Sequence, residues 1–277
     1  ITDEQQRFGV YQRKQLADKG LYPDLLLLSA TPIPRTLALT MYRDLDFSII
    51  DRVPSNRQPI ESYLVSESYE RRFLKFATEQ ITKGRQVYVV CPRVNDDGSN
   101  DINSVERIYS AYKKYLDKSI RVDYIHGQMD VDKKIEKQTL FANGKIDILI
   151  ATTIVEVGID VKNANTMIIY NANNFGLSQL HQLRGRVGRG NYQSYCIFVA
   201  SKGKENDEKL KFLADNNNGF DIARKDLELR GAGDRLGLFQ SGYSDDILQK
   251  IYDSSIYERV NKIVDYIEAN DLTKNRY

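Results

Sequence analysis

The 277-residue sequence is 41% hydrophobic and 28% charged, a composition typical of a globular protein that buries sizeable cores. A chain of this length has room for about two domains. The formal net charge is only +2, so binding to nucleic acid would have to depend on local basic patches rather than on overall charge. The apolar runs are far shorter than a membrane-spanning helix requires, which excludes an integral helical membrane protein.

The two cysteines, Cys91 and Cys196, each lie inside an apolar run and are predicted to be buried, reduced thiols. No CxxC pair or cysteine–histidine spacing indicates a zinc site. The N-terminal residues lack the basic segment followed by an apolar stretch that marks a secretory signal. We therefore expect a cytoplasmic protein.

The predicted elements begin with LLLL at residues 25–28, a buried strand that leads into the proline-containing loop SATPIPRT. Residues 51–60, DRVPSNRQPI, contain two prolines and no helical period, which predicts a linker. Five short segments rich in Val, Ile and Tyr then predict strands: QVYVVC (86–91), RVDYI (121–125), DILIA (147–151), TMIIY (166–170) and SYCIFV (194–199).

Segments with helical spacing lie between these strands, at 104–116 and 132–144. The second is well delimited, with Asp130 as the expected N-cap and Gly144 where a C-terminal glycine belongs. Alternation of strand and helix predicts an α/β fold whose parallel, doubly wound sheet is covered on both faces. In such a sheet the functional loops are expected at the carboxyl ends of the strands.

Three further regions depart from this alternation. Residues 93–103 are polar and contain a glycine, which predicts a surface loop. Residues 219–242 begin with a helical pattern and continue as a glycine-punctuated loop around Gly231 and Gly233. Residues 245–270 are charged and helical in pattern.

The stretch QLHQLRGRVGRG, residues 179–190, interleaves three arginines with three glycines. Glycines let a backbone approach a ligand closely, and guanidinium groups match phosphate oxygens in geometry and charge. An arginine beside a transferring phosphoryl group stabilises charge that develops in the transition state. The alternatives are a solvated basic turn or a contact with a nucleic-acid backbone.

Two other stretches carry residues suited to phosphate chemistry. Adjacent acids, Asp3 and Glu4, are typical of a pair that holds Mg²⁺ and activates a water. The strand at 147–151 leads directly into TTIVEVGID, whose hydroxyl groups suit sugar and phosphate contacts, and whose Asp160 could accept from a ribose hydroxyl or orient an arginine. The simpler interpretation of the second stretch is a buried strand followed by a capped helix.

The order of these stretches resembles that of the later motifs of superfamily 2 helicases and translocases. DEQQ is similar to motif II, SATPIPRT to motif III, TTIVEVGID to motif V and HQLRGRVGRG to motif VI. Longer segments resemble the RecG family of branched-DNA helicases over nearly the whole chain: DEQQRFGV, ATPIPRTLALTMYRDLDFSIIDRVP, NANNFGLSQLHQLRGRVGRG and GFDIARKDLELRGAGDRLGLFQSG.

The Mfd translocases share ATPIPRTL and the segment after motif VI, but typically have DEEQRFGV and QLYQ where this chain has DEQQRFGV and QLHQ. RecG sequences usually have a histidine where this chain has Gln6, a departure that leaves both acids intact and removes any role for an imidazole there.

The resemblance implies a RecA-like parallel sheet of the phosphate-loop NTPase type, preceded by the tail of a first RecA-like lobe and followed by a helical hairpin and loop. It divides the chain into four parts: 1–56 from the first lobe, 57–218 as the second lobe, 219–242 as the translocation motif, and 243–277 as a C-terminal helical segment.

The resemblance also implies roles in binding ATP with Mg²⁺. Asp3 would hold the metal ion and Glu4 would activate the attacking water. Arg186 and Arg189 would act as arginine fingers. Gly158, Asp160 and Gln182 would contact the nucleotide from the second lobe.

Other positions are implied to contact DNA or to couple it to the nucleotide: Ser29, Thr31, His126, Thr152, Thr153, Arg230 and Gln240. Gly127 accompanies His126 in a position that faces the nucleic-acid backbone. A structural histidine is the alternative there, and a surface helix with a glycine cap is the alternative for the translocation motif.

No GxxxxGKS or GxxxxGKT stretch occurs in the chain, so the β- and γ-phosphates of ATP lack their usual loop and lysine. The chain is therefore expected to be the C-terminal part of a longer enzyme, missing a Walker A loop and a DNA-binding wedge domain, and to be inactive as an ATPase alone. The alternatives are an Mfd-like duplex translocase and a non-catalytic nucleic-acid-binding module.

Overall fold

The computed structural model describes residues 1–3, 24, 26–29, 48–50, 58–92, 104–152 and 161–236, with residues 259, 262, 263 and 266 nearer the C-terminus. The chain divides into two compact units. Arg52–Asn218 forms one unit, and Ile1–Asp51 together with Gly219–Tyr277 forms the other. Within the described residues, no helix combines the length and the apolar composition that crossing a membrane requires.

The unit Arg52–Asn218 is built on six strands: β1 (Glu61–Ser66), β2 (Gln86–Val90), β3 (Val122–Ile125), β4 (Ile148–Ala151), β5 (Ala164–Ile169) and β6 (Tyr195–Ala200). They form one sheet in the order β1-β6-β5-β2-β4-β3, and each neighbouring pair is parallel. This arrangement confirms the predicted α/β fold with a parallel sheet, and β2 to β6 confirm the five predicted strands.

The described residues form six α-helices: α1 (Glu70–Thr82), α2 (Val105–Tyr115), α3 (Val131–Ala142), α4 (Leu177–Arg184) and α5 (Glu208–Asp215) in this unit, and α6 (Gly219–Leu236) in the other. The predicted helices at 104–116 and 132–144 correspond to α2 and α3. The predicted ends of α3 are also confirmed, since the Asp130 side chain accepts from the backbone N–H of Asp132 and Gly144 has φ +68°. A positive φ favours glycine because it has no Cβ.

The central strands are buried along their whole length, as expected for a parallel sheet covered on both faces. On one face, Phe73 and Ala77 of α1 and Ile108 of α2 join Val87 and Val89 of β2 in a single hydrophobic core. Strand β1 is the one that the sequence analysis missed. It is an edge strand with the partly polar sequence ESYLVS, so it lacks the continuous apolar run that identified the others.

Both cysteines are free and fully buried, which confirms the prediction of reduced core thiols. Burial raises the pKa of the Cys196 thiol to about 12, and it raises the pKa of Cys91 further. Neither thiol therefore offers a nucleophile near neutral pH.

Helix α6 differs from its prediction. The glycine-punctuated loop expected around Gly231 and Gly233 is not formed there, because the helix continues to Leu236. Glycine inside a helix costs only about 1 kcal/mol relative to alanine, and the surrounding Leu, Arg and Ala residues are good helix formers. The predicted loop at 93–103 and most of the 51–60 linker lie outside the described residues. Four described residues of the predicted C-terminal helix are helical: Arg259, Lys262, Ile263 and Tyr266.

Candidate functional site

The glycine- and arginine-rich stretch forms the end of α4 and the turn after it, residues 185–190, which we call the arginine turn. Three leucines of α4 are fully buried and fix the helix against the core: Leu177, Leu180 and Leu183. After the helix the backbone tightens, with the N–H of Arg186 donating to the Leu183 carbonyl at 3.0 Å and that of Val187 donating to the Arg184 carbonyl at 3.2 Å. The turn is therefore a continuation of a well-anchored helix.

The three arginines of the stretch differ in environment. Arg184 is only 2% exposed, Arg186 is half-buried and Arg189 is exposed. The Nε of Arg189 donates to the Gly185 carbonyl at 3.3 Å. The two arginines predicted to act as arginine fingers, Arg186 and Arg189, are thus the two that keep solvent-accessible surface.

Gly188 and Gly190 are required by packing against the protein itself. Gly188 has φ +76°, and a Cβ there would lie 3.0 Å from the Ile60 side chain. A Cβ on Gly190 would lie 2.4 Å from the backbone oxygen of Lys162. The sequence pattern predicts close approach of these glycines to a ligand, whereas in the structure they let the turn lie directly on neighbouring backbone and side chain.

These contacts place the arginine turn at the amino-terminal edge of the sheet. Ile60 immediately precedes β1, and Lys162 lies two residues before β5. The motif therefore does not lie at the carboxyl ends of the strands, where the functional loops of a parallel sheet are expected. Gly158 and Asp160, the predicted nucleotide contacts, shortly precede Lys162 in the chain and lie outside the described residues. Gln182 is half-buried on α4.

Two predicted DNA-contacting residues lie at the opposite, carboxyl-terminal edge. Strands β3 and β4 pair in parallel, with Ile125 opposite Ala151. Continuing the register by one residue brings His126 beside Thr152 at the point where both strands end. Thr152 is 7% exposed. The predicted Thr153 lies outside the described residues.

The imidazole of His126 is half-buried and stacks on Tyr124, with ring centroids 5.8 Å apart and planes at 7°. Its Nδ1 is shielded from solvent and has no hydrogen-bond partner among the described residues. A buried polar atom in this state is uncommon in folded proteins. Within the described part of the chain, the hydrogen bonding of His126 is therefore incomplete.

Basic side chains surround this edge. Lys134 Nζ donates to the Gly127 carbonyl at 3.2 Å, and Lys137 Nζ lies 2.6 Å from Asp123 Oδ1 and 4.4 Å from the centre of the Tyr124 ring. Tyr124 packs in turn on Tyr109, with ring centroids 4.8 Å apart. The edge therefore combines aromatic rings with lysine charge, a chemistry suited to a phosphate backbone.

In the other unit, the described residues next to the two predicted motifs of the first lobe pair with each other. Thr2 and Leu27 form a parallel bridge, in which the Thr2 N–H donates to Leu26 and the Leu28 N–H donates to Thr2, each at 2.8 Å. Asp3 and Ser29 follow this bridge in the same direction, and both are exposed. Glu4 and Thr31 lie outside the described residues.

Among the described residues, no group of three or more His, Cys, Asp or Glu side chains could hold a metal ion by itself. Mg²⁺ bound with a nucleotide does not need such a group, because one or two carboxylates suffice when phosphates and water supply the other ligands. The exposed carboxylate of Asp3 fits that limited role.

A buried hydroxyl network near the carboxyl ends of β2 and β5 was not found from the sequence. The Tyr170 hydroxyl donates to Glu70 Oε1 at 2.7 Å and lies 3.1 Å from the Tyr112 hydroxyl. Burial and the neighbouring Tyr112 and Glu70 raise the pKa of Tyr170, so it stays protonated. The network connects α1 and α2 to the end of β5, and it could not be predicted because it joins residues far apart in the chain.

Arg184 is the second feature that sequence reasoning missed. Its Nη1 donates to the Leu213 carbonyl at 2.7 Å and to Ser62 Oγ at 3.3 Å, and its Nη2 lies 3.0 Å from His181 Nδ1. A signal was present, because Leu177, Leu180 and Arg184 have the i, i+3, i+7 spacing of one buried helix face. Of the two remaining site predictions, Arg230 lies within α6 and Gln240 lies outside the described residues.

Comparison with protein families finds a match to the helicase conserved C-terminal domain over residues 70–191. The chain is 41% identical to the ATP-dependent DNA helicase RecG of Bacillus subtilis (strain 168) over 98% of its length. It is equally identical, 41% over 97% of its length, to that of Streptococcus pneumoniae serotype 4. In both cases the chain spans only 40% of the relative.

Solved structures give a consistent result. A structure of RecG bound to a three-way DNA junction matches 95% of this chain with a TM-score of 0.72 and 36% identity, and the chain covers 33% of it. A structure of the Mycobacterium smegmatis helicase Lhr matches with a TM-score of 0.54 and 12% identity. The match covers 73% of this chain and 28% of that one, and it shows a likeness in fold alone.

Proposed function

We propose that the chain, which matches RecG helicases along nearly its whole length, is the motor part of an ATP-dependent helicase of that family. Its substrate would be branched DNA such as stalled forks and Holliday junctions, remodelled in the cytoplasm during recombination and repair. The observation that carries the proposal is the separation of the predicted residues between opposite edges of one sheet. The arginine turn lies at the amino ends of the strands, and His126 and Thr152 lie at the carboxyl ends.

The nucleotide would be bound at the amino-terminal edge. Arg186 and Arg189 would contact the phosphates of ATP, and their fixed charge would stabilise the negative charge that develops on the transferring phosphoryl group. The anchoring of the arginine turn by α4 and by the packing of Gly190 supports this role, because a positioned guanidinium needs no reorganisation at the moment of reaction. Gln182, Gly158 and Asp160 would contact the nucleotide from the same lobe.

The acid pair would complete the reaction from the first lobe. Asp3 would hold Mg²⁺, which supplies charge neutralisation on the phosphate oxygens when it is bound. Glu4 would orient and deprotonate the attacking water. The parallel bridge between Thr2 and Leu27 supports a coupling role for Ser29, since Ser29 and Asp3 follow the bridged residues in the same direction. Thr31 would share that role.

DNA would be bound at the carboxyl-terminal edge. The Nδ1 of His126 has no hydrogen-bond partner among the described residues, and a turn of the ring towards DNA would let Nδ1, in the tautomer that carries its proton there, donate to a phosphate oxygen of the backbone. Thr152 and Thr153 would donate their hydroxyl groups to neighbouring phosphates. Lys134 supports this assignment by adding positive charge beside Gly127. Arg230 on α6 and Gln240 after it would move against duplex DNA as the lobes close.

Two other functions share part of this evidence. An Mfd-like duplex translocase is favoured by ATPIPRTL, and the RecG assignment is favoured over it by QLHQ in place of QLYQ. A non-catalytic nucleic-acid-binding module is favoured by the lack of a phosphate loop in this sequence. The wedge domain and the Walker A lobe would have to be supplied by other parts of the same protein.

The proposal is tested by Arg189→Ala in the whole protein. DNA-stimulated ATP hydrolysis should fall by about a thousandfold or more, because an arginine finger contributes on that order to kcat. Affinity for a three-way junction should change by less than about twofold. Steady-state ATPase rates and fluorescence anisotropy on a labelled junction measure the two effects.

The matched control is Arg121→Ala, an exposed arginine paired with Asp147 just before β3, which should leave both quantities unchanged. If Arg189→Ala instead weakened junction binding as much as it slowed hydrolysis, Arg189 would be a DNA contact and the assignment of the amino-terminal edge to the nucleotide would be wrong.

A further inference from the structure

We propose that Arg184 is a positioning residue that couples the arginine turn to the segment through which the chain passes from α5 into α6. This inference rests on the proposed function. Arg184 is the last residue of α4, and its backbone carbonyl accepts from the Val187 N–H of the arginine turn, while its side chain contacts the end of α5. One residue therefore contacts both places.

The guanidinium of Arg184 is buried and held by neutral groups. It donates to the Leu213 carbonyl, to Ser62 and to His181, at 2.7, 3.3 and 3.0 Å respectively. Burial lowers the pKa of Arg184, yet an arginine remains charged at any physiological pH. A buried charge is a poor means of stabilising a fold, since a well-packed apolar side chain usually serves as well or better. Its presence here therefore suggests a requirement for directed contacts.

The contact with Leu213 satisfies one of the carbonyl groups at the end of α5. The last four carbonyl groups of a helix have no partner inside it and carry the negative end of the helix dipole. Asn216 Nδ2 donates to the Phe212 carbonyl at 2.8 Å, and Arg184 satisfies that of Leu213. The side chains of Leu210 and Leu213 are fully buried, so α5 is fixed laterally while Arg184 fixes its end.

The chain leaves the unit directly after this point. Helix α5 ends at Asp215, the unit ends at Asn218, and α6 begins at Gly219 in the other unit. Any shift of the arginine turn on nucleotide binding would move the Arg184 guanidinium, and with it the Leu213 carbonyl and the start of the connection. The planar guanidinium, held at three points, is stiff enough to transmit such a shift.

Substitutions of His181 test the same contact from the side of the hydrogen-bond acceptor. A guanidinium group has donors only, so the Nδ1 of His181 must accept the hydrogen bond and carry no proton. A glutamine at this position could also accept a hydrogen bond, whereas a phenylalanine could not. His181→Gln should therefore preserve the coupling better than His181→Phe.

The test compares Arg184→Met and Arg184→Lys in the whole protein, measuring DNA-stimulated ATP hydrolysis and junction unwinding on the same preparations. Arg184→Met keeps the length of the side chain and removes every donor. It should lower the number of base pairs unwound per ATP by about tenfold, with hydrolysis within about twofold of the unsubstituted protein. Arg184→Lys can still donate to the Leu213 carbonyl, so it should lower the number of base pairs unwound per ATP by only about threefold.

The matched control is Arg85→Met, which removes another partly buried arginine whose contacts are Asn163 and the Tyr192 ring. It should leave the ratio unchanged. The proposal is overturned if Arg184→Met unwinds as many base pairs per ATP as the unsubstituted protein, whether the unwinding and hydrolysis rates are both unchanged or fall together. If Arg184→Met does not show cooperative thermal unfolding, the proposal is judged on Arg184→Lys. An unchanged number of base pairs unwound per ATP in that variant then overturns it. Failure of the proposed function is distinguishable, because the unsubstituted protein would then show no DNA-stimulated hydrolysis at all.

Discussion

The two edges of the sheet differ in the groups that they present. At the amino-terminal edge, guanidinium groups extend from a turn that packs directly on neighbouring backbone. At the carboxyl-terminal edge, a half-buried imidazole and a buried hydroxyl lie at the ends of two strands. The first edge offers fixed positive charge, from Arg186 and Arg189. The second offers short, polar, largely shielded groups, from His126 and Thr152, with lysines around them. Fixed charge suits a reaction that develops negative charge, and short polar groups suit repeated contact with an invariant phosphate backbone.

The strongest test of this comparison is the chain by itself. It carries the arginine edge but no GxxxxGKS or GxxxxGKT loop, so it should show no DNA-stimulated ATP hydrolysis above background. Phosphate release assays with and without a three-way junction measure this. A junction-dependent rate from the pure chain that Arg189→Ala abolishes would show that the phosphates are held by some other segment of these residues.

The next largest effect is expected at Gly190, because a Cβ there would lie 2.4 Å from the Lys162 oxygen. Gly190→Ala should lower the stability of the folded unit by about 3 kcal/mol, since the backbone would have to move. Gly185→Ala is the matched control within the same turn, as its Cβ would lie 3.4 Å from the nearest atom, and it should change stability by less than about 0.5 kcal/mol.

Thermal unfolding of the two glycine variants measures the difference. Equal midpoints for Gly190→Ala and Gly185→Ala would mean that the arginine turn does not lie against the start of β5 in solution. The distinction between the two edges would then lose its geometric basis.

The smallest effect concerns the carboxyl-terminal edge. His126→Ala in the whole protein should raise the junction concentration needed for half-maximal stimulation by about fifteenfold, because a hydrogen bond to a charged group contributes about 1.5 kcal/mol or more. Hydrolysis at saturating DNA should stay within about twofold. Titrations of ATPase rate against junction concentration separate the two quantities.

Arg121→Ala, at the opposite edge, should leave that half-saturating concentration unchanged. A slower rate at saturating DNA in His126→Ala, with unchanged half-saturation, would contradict the assignment of this edge to DNA.

Much of the fold was predictable because buried parallel strands produce uninterrupted apolar runs, as in β2 and β4. Strand β1 was missed because an edge strand needs no long apolar run, and only the middle of ESYLVS, Tyr63 to Val65, is apolar. Helix α6 was predicted to end too early because two glycines were given more weight than the helix formers around them.

The candidate site was predictable in its residues and less so in its geometry. The arginine turn immediately precedes β6, and in a parallel sheet every connection must return to the amino ends before the next strand begins. The predicted strand order along the chain therefore already contradicted a position at the carboxyl ends. The pairing of His126 with Thr152 could not be predicted, since it depends on β3 lying beside β4 in a definite register.

The six residues of β5 separate the two edges by about 20 Å, at about 3.3 Å per residue. No side chain is long enough to bridge that span, so an event at one edge cannot reach the other through a shared contact. Packed protein interiors have low compressibility. The sheet would therefore move as a rigid body. A rotation of the sheet caused by nucleotide binding at one edge would displace DNA bound at the other edge by a similar distance.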